Sequence, residues 1–529
     1  MPSARRTTRL CLASAALATI ATAAPAQTLR WASQGDPQTM DPYSQNEGLT
    51  NMFNGQVYEF LVARDRKLDI VPQLATEWKQ ESATRWTFKL RRGVKFSDGR
   101  PFTADDVVFS LARAREKTSQ IAVYANAVGP ARRIDDFTVQ IDSPQFDPVF
   151  LQHLNTIQIM SRSWCEEHKA TRPQDFAGHE EMFTARNAMG TGPYMLVSRE
   201  ADVRTVLKRN PNYWGTYEGN VQEVVYTPIK NNATRTAALL SHEIDFVLDP
   251  PSADVERLRA SPGVQVLDGP ENRVLFIGMD QARDQLLYAD VKGRNPFKDL
   301  RVRKALYEAI DIELIKTRLM AGQAVPTGAL APSPKASLDG DPDIERRLPY
   351  DVEGARKLMA EAGYPNGFEV TLDCPNNRYI NDERLCLALA SMWSRINVKV
   401  RVNAMPRSNY FPKLERLDTS LYMLGWGGSI TDAESIFTPI FRNRGEGGVG
   451  SYNYGNYKDD TLDALVAASS REPDAAKRAD LIRKSYLRHN EQVHHIPLHR
   501  QVIPWAARQG VTVVHRPDNW LEVKWITVK

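Results

Sequence analysis

The chain has 529 residues, of which 42% are hydrophobic and 25% charged, with 30 Gly and 32 Pro. This composition is typical of a globular protein and excludes a collagenous, low-complexity or wholly disordered chain, and the length suggests about three domain-sized units. The 68 Lys and Arg against 64 Asp and Glu give a formal charge of +4. So small an excess gives no indication of a nucleic-acid partner.

Residues 1–26 have the three parts of a cleaved secretory signal peptide. Three arginines within the first nine residues form a positive region, an apolar run follows from Leu10 to Ala21, and small residues end the segment. The apolar run is too short to span about 30 Å of hydrocarbon. We therefore expect export to the periplasm, with Gln27 as the mature amino terminus.

The first half of the mature chain alternates segments typical of strands with segments typical of helices. Thr28–Ala32 and Arg85–Leu90 alternate apolar and polar residues, as half-buried strands do. Thr103 is placed to cap a helix that begins at Ala104. Further short strands are predicted at Val203–Leu207, Val221–Tyr226 and Gly263–Leu267.

The second half is richer in predicted helices. Asp299 and Asp351 each precede apolar residues at helical spacing, and Gly363 ends the second of these helices. Strands at 368–372 and 398–402 flank a helix at 383–396. Because strand, helix and strand follow in this order, the sequence predicts an α/β layer architecture.

Four cysteines are few for a chain of this length. Cys11 lies in the leader, whereas Cys374 and Cys386 enclose a short segment that an oxidising compartment would favour as a disulfide. Two unpaired cysteines on one local element are the alternative. Cys165 is then the odd thiol.

Five of the nine histidines fall between residues 489 and 515. Neutral imidazole is a ligand for nickel, copper and zinc. However, adjacent residues on a strand point to opposite faces, so His494 and His495 are poorly placed to share a metal. His499 lies five residues after His494, across Pro497, at no regular spacing. We expect packed or surface histidines, with no metal site and no cofactor.

Catalytic motifs are also missing from the sequence. It contains no G-x-S-x-G, no H-E-x-x-H and no Walker-type glycine loop. The segment from Gly190 to Tyr194 resembles a phosphate loop, but it lacks the lysine, and Pro193 removes a backbone N–H that phosphate binding would need. We expect a protein that is not an enzyme.

The segment Gly425-Trp426-Gly427-Gly428-Ser429 places an indole among small residues. Glycines permit close approach of a ligand, and tryptophan supplies a flat apolar wall with one N–H donor. This pattern favours a ligand pocket; a tryptophan packed in the core beside a flexible turn is the alternative.

Several motifs together resemble those of the family 5 solute-binding proteins, the dipeptide, oligopeptide and nickel group of ABC importers. The resemblance covers essentially residues 28–529. The motifs that carry it are Pro72–Trp78, Trp86–Phe88, Arg92–Gly99, Pro101–Val107, Gly190–Tyr194, Asn210–Trp214, Asp299–Ala305, Ala355–Leu358 with Gly363–Tyr364, and Ile496–His499.

The resemblance implies a two-lobed periplasmic-binding-protein (venus-flytrap) fold of the α/β class, with an extra inserted domain in the first lobe. Ligand is enclosed between lobes that close by a hinge. The expected division is 27–70, 187–276 and 503–529 for the discontinuous first lobe, 71–186 for its extra domain, and 277–502 for the second lobe.

The resemblance also indicates where a peptide's amino group would be held. Similar peptide binders usually present an aspartate after the Gly-Trp pair, where this chain has Ser429. A neutral hydroxyl cannot supply the charge-assisted bond that a buried ammonium requires. Asp432 or Glu434 on the same loop could substitute; otherwise the amine is held elsewhere or the ligand has none there.

Arg378 is the candidate to bind the carboxylate of a ligand, because it lies where similar peptide binders carry an arginine. Arg378 could hold a carboxylate bidentately, with Tyr379 and Asn377 adding hydrogen bonds. A salt bridge within the protein is the alternative. Asn46 and Glu47, after the first strand, face the cleft in similar proteins.

The sequence therefore predicts a monomeric periplasmic solute-binding protein that delivers a short peptide or other small carboxylate-bearing solute to an inner-membrane ABC permease. Trp426, Gly427 and their loop would contact the ligand, and Arg378 would pair with its charge. A nickel-chelate binder of the same family is the first alternative. An exported hydrolase is the alternative from a different class.

Overall fold

Strands and helices alternate along the computed structural model, which describes residues 27–427 and 430–529. The predicted signal peptide and Ser429 lie outside the described residues. The strands are β1 (Thr28–Ala32), β2 (Val62–Arg64), β3 (Ile70–Pro72), β4 (Ala75–Gln80), β5 (Arg85–Leu90), β6 (Ala131–Asp135), β7 (Thr138–Asp142), β8 (Tyr194–Glu200), β9 (Arg204–Arg209), β10 (Glu223–Tyr226), β11 (Phe246–Val247), β12 (Val264–Met279), β13 (Ala324–Pro326), β14 (Phe368–Pro375), β15 (Val398–Met405), β16 (Leu421–Gly427), β17 (His495–Arg508), β18 (Val511–Thr512) and β19 (Thr527–Val528).

Helices alternate with these strands along the chain. The α-helices are α1 (Gly48–Asn54), α2 (Ala104–Ala114), α3 (Ala122–Val128), α4 (Phe150–Leu154), α5 (Arg162–Glu167), α6 (Asn232–Leu240), α7 (Val255–Ala260), α8 (Leu300–Glu308), α9 (Ile312–Leu314), α10 (Val352–Glu361), α11 (Asp382–Trp393), α12 (Arg407–Glu415), α13 (Glu434–Ile436), α14 (Asp460–Ser469) and α15 (Ala475–Gln492). Predicted caps hold: Asp299 accepts from Arg301 N and Asp351 from Gly354 N, each at 2.9 Å.

One eleven-stranded sheet runs through the molecule in the order β15-β14-β16-β12-β17-β11-β1-β10-β9-β8, with β13 paired to β17. The long strands β12 and β17 pair antiparallel from Val264 opposite Arg508 to Gly278 opposite His495. A register shift interrupts this ladder between Pro270 and Val274. The boundaries expected at 276/277 and 502/503 fall inside these two strands, which therefore continue from one half of the molecule into the other.

Buried apolar residues separate into cores on the two sides of these strands. One large core joins residues between Leu29 and Leu248 to the carboxyl-terminal segment. Two further cores lie almost entirely between Val274 and Ile503. We call the first side the first lobe and the second side the second lobe, and this two-lobed α/β architecture confirms the predicted fold class.

Residues 71–186 add a four-stranded antiparallel sheet, in the order β4-β5-β7-β6, to the first lobe. This sheet and the helices of the same segment pack into the same core as the strands of the first lobe, through Phe88 of β5, Leu111 of α2 and Leu154 of α4. This segment therefore shares a core with the first lobe. Within the described residues, no helix is both long and apolar enough to cross a membrane.

A disulfide joins Cys374, near the end of β14, to Cys386 in α11. Their Cα atoms are 6.7 Å apart. The bond encloses the connection that carries Arg378 and Tyr379, so it restrains that loop covalently. Cys165 is buried and unpaired, and burial raises the pKa of its thiol to about 12, which makes it unreactive.

Candidate functional site

A cavity of about 140 Å³ lies between the lobes, and we call it the interlobe cavity. The first lobe, including residues of α3 and of the segment after α4, supplies one wall, and the second lobe supplies the other. Its lining residues are Pro42, Gln45, Asn46, Glu47, Gly48, Asn51, Phe60, Ile121, Tyr124, Asn155, Thr156, Gln158, Arg273, Arg378, Tyr379, Phe411, Leu424, Gly425, Trp426, Gly427, Ile430, Ser435, Tyr452, Tyr454, Asp518 and Trp520.

Aromatic rings make up much of the cavity wall. Trp426 is 8% exposed, and its indole N–H donates to the carbonyl oxygen of Ser435 at 2.6 Å. The centroid of its ring lies 4.5 Å from that of Tyr452. The first lobe contributes the rings of Phe60 and Trp520, whose centroids are 6.2 Å apart. Since the N–H of Trp426 is already bonded, this residue offers a ligand an apolar face.

Two glycines bring the walls of the cavity close together. A Cβ on Gly425 would lie 2.6 Å from the ring of Tyr379, and one on Gly427 would lie 1.8 Å from the carbonyl oxygen of Asn272. Gly427 is the residue paired with Arg273 in the β12–β16 ladder. Only glycine therefore fits opposite the arginine that projects from β12.

Arg273 is a candidate ligand-binding residue that the sequence analysis missed. Its Nε donates to Glu271 Oε1 at 2.7 Å, and Glu271 Oε2 accepts from Gln501 at 2.5 Å. Within residues 27–427 and 430–529, neither Nη atom of Arg273 makes a hydrogen bond. The carboxylate thus fixes the inner edge of the guanidinium, and the Nη atoms remain to receive an anion.

Arg378, the predicted partner of a ligand carboxylate, lines the cavity and contacts a carboxylate of the protein. Its Nε lies 2.7 Å from Glu47 Oε1, without the alignment of a hydrogen bond. Arg407 Nη1 lies 3.1 Å from the same oxygen. Glu47 is in the first lobe and both arginines are in the second, so the three side chains form an ion cluster between the lobes.

The carboxylate of Glu47 is held from two directions. It caps α1, accepting from Leu49 N at 3.2 Å and from Thr50 N at 3.0 Å. Burial opposes its charge, but Arg407 and Arg378 together with these bonds lower its pKa to about 2. It is therefore ionised at neutral pH and serves the protein's own guanidiniums.

The neighbours predicted beside Arg378 have structural partners. The Tyr379 hydroxyl donates to Gly425 O at 3.2 Å and accepts from Gly425 N at 2.8 Å, which fixes the ring in the cavity wall. Asn377 accepts from Arg407 N at 2.8 Å and lies outside the interlobe cavity. Asn46 lines the cavity, and its Oδ1 accepts from Asn51 at 2.9 Å.

The two acids considered as substitutes for an amine anchor lie away from the interlobe cavity. Asp432 binds Arg478 through both oxygens, at 2.9 and 2.6 Å. Glu434 accepts from Thr438 and, at 2.6 Å, from Ser470, and burial raises its pKa. A bidentate arginine therefore occupies the carboxylate of Asp432, and hydroxyl donors occupy that of Glu434.

Besides Arg378 Nε, four buried polar atoms of cavity residues have no hydrogen-bond partner within the described chain. They are Gln45 Nε2, Gln158 Oε1, Ser435 Oγ and Trp520 Nε1. Buried polar groups are normally satisfied, so these atoms add one acceptor, two donors and one hydroxyl for a polar ligand.

Four of the five carboxyl-terminal histidines, all but His515, are buried structural residues. His489 Nε2 lies within hydrogen-bond distance, 3.0 Å, of His495 Nδ1, and His494 Nε2 lies 3.1 Å from Asp459 Oδ2. Burial lowers the pKa of His495 to about 3 and that of His499 to about 4. In the part of the chain that the structure describes, no histidine lines the interlobe cavity and no group of three metal-ligating side chains forms.

A cavity enclosed between two lobes that share long strands defines a two-lobed binding protein. Residues 69–448 match the family described as bacterial extracellular solute-binding proteins, family 5. The chain belongs to this family of ABC-importer binding proteins, as its motifs predicted.

Relatives agree with this assignment. The heme-binding protein A of Haemophilus influenzae is 27% identical over 85% of this chain and 83% of its own length. The dipeptide-binding protein of Escherichia coli is 24% identical over 90% of this chain and 89% of its own. An ABC transporter-associated periplasmic binding protein from Helicobacter pylori, in complex with the peptide STSA, superposes with a TM-score of 0.83 at 21% identity, over 95% of this chain and 98% of its own. These proteins are described by the ligands they bind and not by a reaction.

Proposed function

We propose that the mature chain is a monomeric periplasmic protein that encloses a short peptide or other small carboxylate-bearing solute between its lobes and delivers it to an ABC permease. The signal-peptide pattern at 1–26 supports export. The lobes would divide at the boundaries expected from the sequence, with β12 and β17 as the connecting strands. No catalytic step is part of this proposal.

The observation that carries the proposal is the guanidinium of Arg273 in an aromatic cavity. Its Nη atoms have no partner in the described chain, whereas Glu271 holds its Nε. A guanidinium with two adjacent donors matches the two oxygens of a carboxylate. The aromatic walls supply apolar contact of low specificity for the rest of the solute.

An amino group on the ligand finds no matching anion among the described lining residues. The carboxylates there are Glu47, which pairs with two arginines, and Asp518, which binds Arg516 at 3.0 and 2.5 Å. We therefore propose that the acidic end of the solute is the recognised end. A nickel chelate would have to bind through its own carboxylate, because no described lining residue is a histidine.

Calorimetric titration with dipeptides, each as the free acid and as the carboxyl-terminal amide, tests this proposal. The free acid is expected to bind at least about tenfold more tightly, since a charge-assisted hydrogen bond contributes ~1.5–3 kcal/mol. Equal affinity for acid and amide throughout the panel would contradict carboxylate recognition. Conversion of a bound peptide, detected by mass spectrometry, would favour the hydrolase instead.

A further inference from the structure

The charges buried at the interlobe cavity do not cancel. Two neighbouring ion groups make up a cluster of three guanidiniums and two carboxylates: Arg273 pairs with Glu271, and Arg378 and Arg407 pair with Glu47. All five side chains are at most 10% exposed. Since buried charges are stable only when paired, the cluster leaves one positive charge to be balanced.

The other acids near the cluster do not change this count. Asp518 is balanced by Arg516, Asp36, which interacts with Arg407, is balanced by Arg199 at 2.8 Å, and Asp249 lies 3.4 Å from Arg235. Asp382 lies behind Arg378 and accepts from the backbone N–H groups of residues 378, 379 and 383. Burial raises the pKa of Asp382 to about 7, so it adds at most a partial negative charge at neutral pH.

The geometry places Arg273 and Arg378 at one point. A Cβ on Gly48 would lie 3.3 Å from Nη2 of each arginine, so the two guanidiniums converge over the start of α1. Glu47, the preceding residue, turns its carboxylate to Arg378 and Arg407. One carboxylate of the protein thus occupies part of a site that could otherwise hold a second ligand anion.

We propose that Glu47 sets the charge of the ligand group that this site accepts. By neutralising one positive charge of the Arg378–Arg407 pair, it leaves a single positive charge and selects a monoanionic group over a dianionic one. This inference rests on the proposed function, because it concerns the same cavity. It makes Glu47 a specificity-determining residue that does not itself bind the ligand.

The same cluster links Glu47 to lobe closure. With Glu47→Gln, the closed lobes would bury two more guanidinium charges than carboxylates. Loss of one partner from a buried ion pair is strongly unfavourable. The equilibrium constant for closure of the ligand-free lobes should therefore fall by about a hundredfold or more. Arg407 Nε and Nη2 already lack hydrogen-bond partners in the described chain, so no other contact of Arg407 would compensate for the loss of Glu47.

Small-angle scattering of the ligand-free protein gives the first test. Closure leaves one buried guanidinium unbalanced in the wild type and two in Glu47→Gln, so Glu47→Gln is expected to have the larger radius of gyration. The double variant Glu47→Gln/Arg407→Gln restores the charge balance and should return toward the wild-type value. Equal radii for the wild type and Glu47→Gln would overturn the proposal, whatever ligand the protein binds.

Titration with Ala-Asn and Ala-Asp gives the second test, since these dipeptides differ by one carboxylate at nearly constant shape. The wild type should prefer Ala-Asn, and Glu47→Gln should shift the ratio of affinities toward Ala-Asp by about tenfold. An unchanged ratio would overturn the proposal. Failure of both peptides to bind any variant would count against the peptide assignment, while the scattering result would still decide the role of Glu47. If Glu47→Gln does not fold, the double variant serves for both measurements, with Arg407→Gln as its reference.

Discussion

Replacing Arg273 by methionine and Glu271 by glutamine in one variant removes the cation that we assign to the ligand and its buried counter-ion together. The variant deletes both Nη donors, so a bound carboxylate should lose about 3 kcal/mol, or on the order of a hundredfold in Kd. Arg273→Met alone would leave the buried carboxylate of Glu271 with only Gln501 as a donor. That single variant should therefore also lose about 3–5 kcal/mol of unfolding free energy, most of which the double variant recovers.

The assay is titration of wild type and double variant with a dipeptide acid and its amide, beside urea unfolding of all three proteins. The wild type should distinguish acid from amide, and the double variant should lose most of this preference. A double variant that folds and still prefers the acid by the wild-type factor would refute the assignment of Arg273. Arg273→Lys, which keeps the charge but not the planar fork, should lie between the two.

Three further predictions concern stability. Burial raises the pKa of Glu415 from its ordinary value near 4.5 to about 8, so the fold favours its protonated form. The wild type should therefore lose unfolding free energy relative to Glu415→Gln as the pH rises from about 4.5 to 8, by at most ~5 kcal/mol. The same difference in unfolding free energy between the two proteins at pH 5 and pH 9, measured with urea, would contradict this. The paired change Cys374→Ser and Cys386→Ser opens a loop spanning 12 residues and should cost about 3 kcal/mol, whereas wild type unaffected by reductant would speak against the disulfide. Gly427→Ala places a Cβ 1.8 Å from a carbonyl oxygen of β12 and should cost about 2 kcal/mol as well as ligand affinity, while Gly445→Ala, whose nearest contact is 3.9 Å, serves as the control.

Much of the fold was predictable because its elements follow local rules. β1 and β5 have the bounds that their alternating residues predicted. The strand expected at 263–267 was wrong in length, since β12 runs to Met279. Pro270 and the polar residues after it are typical of a turn, but the register shift opposite β17 accommodates them within the ladder. No local pattern shows that a strand passes from one lobe into another.

The site was predictable only in part, because charge pairing between lobes depends on tertiary contacts. The sequence indicated Trp426 and Tyr379, which line the cavity, and Arg378, which lies there beside Glu47. It could not show that Glu47 would reach Arg378 across the cleft, since more than 300 residues separate them in the chain. Arg273 was missed because it follows a segment that resembles a turn and belongs to no motif that carried the family resemblance.

Native mass spectrometry of the mature protein, purified without refolding and compared before and after mild denaturation, tests the central claim most directly. We expect one small co-purified mass per chain that leaves on denaturation and carries a carboxylate, with a single anionic group at the recognised end. An empty protein would contradict tight capture of such a solute. A bound mass without any acidic group would contradict the role assigned to Arg273.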